Sequence, residues 1–263
     1  MDLQLSGRRV LVTGASRGIG LAAVQAFLAE GAAVTAVSRN GSPELDATGA
    51  TFLAADLATP EGPRRMIEEA LAADPRLDVL VNNAGGGELP AEAVLDPFGG
   101  EDEVWSRLLD LNLYAPVRAI RAAMPALTES RGAVVNVGSE SSLRPHSAPL
   151  SYSAAKAALN AFSRGLAEKV AAAGIRVNVV TPGGTRTRLL TGEDGVAGKV
   201  AAALGADRAT IVENLVRENG MITGSLIEPA EIARVIVMLA SPTLPNAVGS
   251  NWTVHAGSLK QPA

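Results

Sequence analysis

The chain contains no cysteine. Disulfides and thiolate metal sites are therefore excluded, and a reducing compartment suits it. Its two histidines, His146 and His255, lie too far apart to offer a paired metal ligand, so no metal is expected. Aromatic residues make up only 3%, against 47% hydrophobic overall, so the core has to be built from Ala, Val, Leu and Ile. There is no excess of basic charge: the formal net charge is −4, which gives a nucleic-acid partner no electrostatic support. No apolar run is long enough to span a bilayer. Arg8 and Arg9 precede a short apolar run, but it ends in a glycine turn without a cleavage-site pattern. The expectation is a cytoplasmic protein with neither a nucleic-acid nor a membrane partner.

What is present is a regular alternation. Apolar, β-branched runs at Val10–Thr13, Val34–Ser38, Thr51–Ala55, Leu77–Asn82, Ala133–Val137, Ile175–Val180 and Asn251–Val254 are separated by Ala-rich helical patterns. Strands that are continuously apolar and alternate with helices predict a parallel sheet covered on both faces. The expected fold is an α/β, doubly wound, Rossmann-type sheet of about seven strands. No repeat, linker or composition break interrupts residues 1–263, so one domain is expected. Two segments depart from the rhythm. Residues 40–49 carry Pro43 and Gly49 and leave room only for a stub of helix. Residues 185–227 form a long insertion, expected to be a substrate lid. In it, Gly192, Gly195, Gly198 and Gly205 are expected as hinges, and Val196, Val200, Leu204, Ile211 and Leu215 as an apolar inner face.

Thr13-Gly14-Ala15-Ser16-Arg17-Gly18-Ile19-Gly20 joins the first strand to the first helix. Glycines in that context let the backbone approach a pyrophosphate seated at a helix N-terminus. The first two glycines are two residues further apart than in the usual dinucleotide fingerprint. After the second strand stands Ser38-Arg39, where an NAD site would place an acid for the ribose 2′-hydroxyl. With Arg17 in the turn itself, two guanidiniums can meet a 2′-phosphate, so the expected cofactor is NADP(H).

Tyr152 and Lys156 stand four apart in an Ala-rich run, and Ser139 lies thirteen residues upstream of the tyrosine. Residues i and i+4 share a helix face. An ammonium beside a phenol favours phenolate, which would bring Tyr152 toward general acid–base work near neutral pH. A serine hydroxyl from another segment could hold the reacting oxygen.

Taken together, these motifs resemble the short-chain dehydrogenase/reductase family over nearly the whole chain. The glycine turn matches the family's cofactor turn, and Asp56-Leu57 its adenine-side acid. Asn82-Asn83-Ala84-Gly85 matches its Asn-Asn-Ala-Gly motif, and Pro182-Gly183 with Thr185 and Thr187 its segment beside the nicotinamide. The resemblance implies a tetrad of Asn112, Ser139, Tyr152 and Lys156. In it Tyr152 protonates a carbonyl oxygen, Ser139 hydrogen-bonds that oxygen, Lys156 lowers the tyrosine pKa and holds the nicotinamide ribose, and Asn112 links Lys156 to solvent through a water. It further implies an NADP(H)-dependent interconversion of a small-molecule ketone and a secondary alcohol, by a dimer or tetramer of identical chains. The alternatives are an acyl-carrier-linked 3-oxoacyl or polyketide reductase, for which Arg186, Arg188, Lys199 and Arg208 would supply a basic patch, and a nucleotide-binding sensor without turnover. Val254-His255-Ala256-Gly257 departs from the family's common Val-Asp-Gly-Gly, a stretch that often forms subunit contacts.

Overall fold

The computed structural model describes residues 1–87, 96 and 98–259. Seven strands form one all-parallel sheet: β1 (Arg9–Thr13), β2 (Ala33–Ser38), β3 (Thr51–Ala54), β4 (Val79–Asn82), β5 (Ala133–Val137), β6 (Arg176–Pro182) and β7 (Asn251–Val254). Their order is β3-β2-β1-β4-β5-β6-β7. The doubly wound Rossmann-type sheet expected from the alternation is therefore present.

Alternate side chains of each strand enter different cores, which is why the runs read as continuously apolar. Val10, Val12, Val34, Ala36, Val79, Val81 and Val135 face one side. There they meet α1 (Gly18–Ala29) and the late helix Pro229–Ala240, through Val24, Phe27, Ile232 and Ile236. Leu11, Val37, Leu80, Val134 and Val177 face the other side and pack on α3 (Gly62–Leu71) and α5 (Ala115–Ser130). Phe27 is the only aromatic ring buried in either core among the described residues, as the composition requires. Each Val, Leu, Ile or Phe side chain removed from water there contributes about 1.5–3 kcal/mol.

The remaining helices frame the cleft. The stub after β2 is a single turn, α2 (Pro43–Asp46), capped by Ser42, whose hydroxyl accepts from the Leu45 amide. α4 (Asp102–Leu109) runs into a π turn (Asp110–Tyr114) before α5, and α6 (Leu150–Val170) carries the Tyr152/Lys156 pair. Between β6 and the last helix, α10 (Pro229–Ala240), lie α7 (Arg188–Thr191), α8 (Val196–Leu204) and α9 (Arg208–Glu218). No helix among the described residues is long and apolar enough to cross a membrane.

The C-terminal departure leaves a backbone trace. Ala256, standing where the family often has glycine, has φ +52. An L residue pays roughly 1–2 kcal/mol there, and glycine almost nothing. Ala256→Gly is expected to stabilise the protein by about 1 kcal/mol, less the extra chain entropy glycine loses, and to raise Tm by about 2 °C. Thermal melts of the two proteins check this.

Candidate active site

Chain order places the site. After β1 the chain moves outward to β2 and β3, then returns to β4 on the other side of β1. Ligands in such sheets sit at this switch, beyond the carboxyl ends of the strands. Nearly every expected site residue follows a strand end there: Gly14 to Gly20 after β1, Ser38-Arg39 after β2, Asp56-Leu57 after β3, Asn83 to Gly85 after β4, Ser139 after β5, and Gly183 to Thr187 after β6.

The glycine turn has no room for side chains. Gly14 and Gly18 have φ +66 and +57. A Cβ on Gly14 would lie 2.9 Å from the Ala84 Cα, and one on Gly20 would collide with the Gly14 carbonyl oxygen. Arg17, the N-cap of α1, gives no side-chain cap, so the first amides of the helix remain available to an anion. Arg17 and Arg39 are exposed and form no ion pair among the described residues. Ser42 ties the β2 loop to this turn by donating to Ser16 O at 2.8 Å. Ser38 donates its hydroxyl to Asn40 O at 2.7 Å, which leaves its oxygen as an acceptor. Asp56 is exposed, and its side chain caps its own turn by accepting from the Ala58 amide at 3.0 Å.

Asn83 fastens β4 to β1: its Nδ2 donates to Thr13 O at 2.9 Å and to Gly14 O at 3.2 Å. Thr13 Oγ1 in turn accepts from the amides of Asn83 and Ala84, each at 3.0 Å. A second polar ladder lies beneath: Asn82 donates to Asn136, Asn136 to Ser163, and Ser163 to Leu159 O. Each buried amide is thereby paired, as burial demands. Asn136 and Ser163 were missed in the sequence. The signal was an asparagine at the same register of two paired, otherwise apolar strands, Asn82 opposite Asn136.

The four expected tetrad residues come from three segments: Asn112 from the π turn, Ser139 from the end of β5, and Tyr152 and Lys156 from α6. Lys156 is buried, and its Nζ donates to Val137 O at 2.9 Å, next to the turn that carries Ser139. Nζ stands 5.8 Å from the Tyr152 ring centroid, and the Ser139 hydroxyl acts on the Tyr152 phenol. Asn112 sits in the π turn, fully buried. A Cβ on Gly85 would meet Asn112 Oδ1 at 2.9 Å and Lys156 Nζ at 3.0 Å, so both groups converge on that glycine.

The Asn112 side chain is bonded to backbone, accepting from Gly86 N at 2.9 Å and donating to Gly86 O at 2.8 Å and Leu108 O at 2.9 Å. It thus holds the strand end against the π turn, where the helical ladder is offset. The Tyr152 phenol was expected to be lowered by Lys156. Burial pushes it up, and the hydrogen bond with Ser139 pulls it part of the way back. The same burial lowers the Lys156 ammonium to about 8. Desolvation disfavours both charged forms.

The insertion is anchored at its base. Thr185 and Ile227 form a parallel bridge, with Ile227 N donating to Gly184 O at 2.9 Å and Arg186 N to Ile227 O at 2.8 Å. Met221, Leu226 and Ile227 join the main core, while Ala197, Ala201 and Ile211 form a small core with Val200 and Leu215. Leu204 is 65% exposed, so the expected inner face does not include it. Gly192, Gly195 and Gly198 are not open joints: a Cβ on any of them would collide with a nearby carbonyl oxygen, whereas around Gly205, at φ +63, there is open space. The segment crosses the cleft. A Cβ on Gly18 would touch Thr187 at 3.2 Å, and one on Gly86 would touch Leu189 at 3.0 Å. Residues 88–95 and 97, in the loop after β4, lie outside the described residues.

Sequence reading also passed over the residues that hold Ser139. Ser139 Oγ accepts from Ser141 N at 3.2 Å and from Ser141 Oγ at 3.0 Å. Ser142 Oγ donates to Ser139 O at 2.6 Å and accepts from Asn160 Nδ2 at 2.8 Å. Buried Glu140 accepts from Ser258 Oγ at 2.5 Å, and a Cβ on Gly183 would lie 2.8 Å from its Oε2. Arg144 donates to Asn219 O at 3.0 Å, joining this segment to the end of the insertion.

Comparison with known proteins agrees with this geometry. The short chain dehydrogenase family pattern matches residues 8–195. The L-fucose dehydrogenase of Mus musculus is 33% identical over 243 residues, covering 90% of this chain and 83% of that one. The 3-oxoacyl-acyl-carrier-protein reductase FabG of Escherichia coli is 33% identical over 262 residues, covering 97% of this chain and 98% of that one. The crystal structure of L-sorbose reductase from Gluconobacter frateurii, complexed with NADPH and L-sorbose, superposes with a TM-score of 0.87 at 31% identity, covering 99% of this chain and 100% of that one. With the tyrosine, lysine, serine and asparagine gathered beside a glycine turn at the switch of a parallel sheet, the chain belongs to the short-chain dehydrogenase family and is an oxidoreductase acting on an alcohol or ketone.

Proposed function

We propose that the protein is an NADP(H)-dependent oxidoreductase that interconverts a free small-molecule ketone and its secondary alcohol, with Tyr152 as the general acid and base. The observation that carries this reading is the buried Lys156 Nζ 5.8 Å from the Tyr152 ring and bonded to Val137 O, next to the turn that carries Ser139. When bound, NADP(H) supplies the hydride. The crowded glycines at Gly14 and Gly20, the uncapped amides of α1 and the exposed guanidiniums of Arg17 and Arg39 fit a pyrophosphate and a 2′-phosphate. Asp56 and Leu57 would flank the adenine. Asn83, Ala84, Gly85, Pro182, Gly183, Thr185 and Thr187 would wall the nicotinamide end, and Lys156 would hold its ribose.

In reduction, Tyr152 gives its proton to the carbonyl oxygen while the Ser139 hydroxyl donates to that oxygen. Because burial raises the phenol, the neutral acid persists through neutral pH. The sign follows for each direction. Reduction needs the phenol, so kcat should stay level through neutral pH and fall as the solution becomes alkaline. Oxidation needs the phenolate, so kcat should climb over the same range. Two pH profiles, one per direction, check this, and parallel profiles would contradict it.

A free substrate is favoured over a carrier-bound one. Of the four cations that would form a carrier-docking patch, Arg186 is paired with Glu228 at 2.7 Å and Arg188 with Asp194 at 3.0 Å. The reductase solved with NADPH and L-sorbose, and the L-fucose dehydrogenase, point the same way. Assays with NADPH and NADH against ketoses, simple ketones and a carrier-mimicking 3-oxoacyl thioester test the reading. The expectation is higher kcat/KM with NADPH and with a free ketone, and a preference for the thioester would reverse the substrate assignment.

Residues 185–227 are read as a lid on a fixed base, within a single domain. Hydrogen exchange in the 188–218 stretch is expected to be fast in the free enzyme and slower with NADPH and product present together. Full protection without ligand would make the segment a rigid wall instead.

A further inference from the structure

Ser139 Oγ receives two hydrogen bonds from one neighbour, the Ser141 amide at 3.2 Å and the Ser141 hydroxyl at 3.0 Å. A serine hydroxyl has two acceptor lone pairs and one hydrogen. With both lone pairs engaged, the Ser139 hydrogen can only be donated, and it points away from Ser141. We propose that Ser141 is a positioning residue of the reaction, which fills both acceptor sites of Ser139 and so fixes that hydroxyl as a donor toward Tyr152 and the substrate oxygen. The inference rests on the reading of Ser139 and Tyr152 given above.

The surroundings favour a locked arrangement. Ser141 is 2% exposed, so water does not compete for its hydroxyl. The segment is held independently, because Ser142 Oγ and Ser142 N both donate to Ser139 O. A free hydroxyl rotor could accept from Tyr152 as readily as donate to it. A Ser139 that accepts would stabilise the neutral phenol and offer nothing to a developing alkoxide. A Ser139 that donates stabilises phenolate and alkoxide alike.

Other ionisable groups near this pair are Lys156 on the same helix, Glu140, Arg144 and His146 on the segment after β5, and His255 after β7. The neighbouring α4 carries Asp102, Glu103 and Arg107, all exposed. Burial and Ser139 are the two causes that move the phenol, so changes at Ser141 read out through Ser139.

The chain has two tyrosines, so a Tyr114→Phe background leaves Tyr152 as the sole phenol to titrate by ultraviolet absorbance. In that background, Ser141→Ala is expected to raise the Tyr152 midpoint and to lower kcat about two- to tenfold, the scale of one neutral hydrogen bond. NADPH affinity should not change. Ser141→Thr, which keeps the hydroxyl, should restore both readings. If Ser141→Ala lowers Tm, Ser141→Cys keeps the volume with a weaker donor and should give an intermediate midpoint. Adding Ser141→Ala to Ser139→Ala should have no further effect, since the two act through one atom. An unmoved midpoint, or additive effects in the double variant, would overturn the proposal. Retained activity in Ser139→Ala or Tyr152→Phe alone would instead sink the underlying functional reading.

Discussion

Tyr152→Phe is expected to lower kcat by about 10²–10⁴-fold, the usual worth of a positioned general acid, while NADPH binding stays intact. The substitution removes one oxygen and keeps the ring. The ring remains over Lys156 Nζ, and Lys156 keeps its bond to Val137 O, because neither contact involves the phenol oxygen. The glycine turn and the β4 end are joined through Thr13 and Asn83, so the cofactor cleft does not depend on the hydroxyl either. Turnover should therefore fall without loss of cofactor fluorescence enhancement or of thermal stability. A variant retaining more than about a tenth of wild-type kcat would remove Tyr152 from the role of acid, since general-acid losses run to 10² or more.

Arg39→Asp should weaken NADPH binding at least about tenfold and narrow or reverse the preference over NADH. A charge-assisted hydrogen bond to phosphate is worth about 1.5–3 kcal/mol, and every 1.4 kcal/mol is tenfold in affinity. The new carboxylate adds repulsion toward a 2′-phosphate and offers an acceptor to a ribose 2′-hydroxyl. Exposure moderates the effect, because Arg39 is solvated and salt screens it. Arg17 stays in place, so loss of NADPH binding should be partial. The check is kcat/KM for both cofactors at low and moderate salt. Equal values for the two cofactors in the wild type would remove the basis of the assignment.

The strands and their parallel order were legible because each apolar run carries its period unmixed. Val10, Leu11 and Val12 alternate between two cores, and only a sheet covered on both faces makes such a run. The one-turn α2 was legible from Pro43 and Gly49. The tetrad residues were legible as positions, and less so as partners. A sequence shows that Asn112 exists but not that a π turn aims its amide at the Gly86 backbone. Nor does it show that burial raises the Tyr152 phenol, since desolvation depends on packing that no local pattern encodes. The turn Ser139-Glu140-Ser141-Ser142 looked like a polar loop. Its hydroxyls point inward because it caps a short 3-10 helix at the buried end of β5. The glycines of residues 192–198 read as hinges because glycine permits many conformations. Here they mark close approaches to carbonyl oxygens instead.

The central claim is hydride transfer to a carbonyl carbon coupled to proton donation from Tyr152. The most direct measurement is deuterium placement: NADPH deuterated at the transferable position is supplied with a ketone that the enzyme reduces, and the product is analysed by NMR. The expected result is deuterium on the carbinol carbon in a single configuration with the wild type, and none above background with Tyr152→Phe. Unlabelled product, or equal labelling by the two proteins, would contradict it.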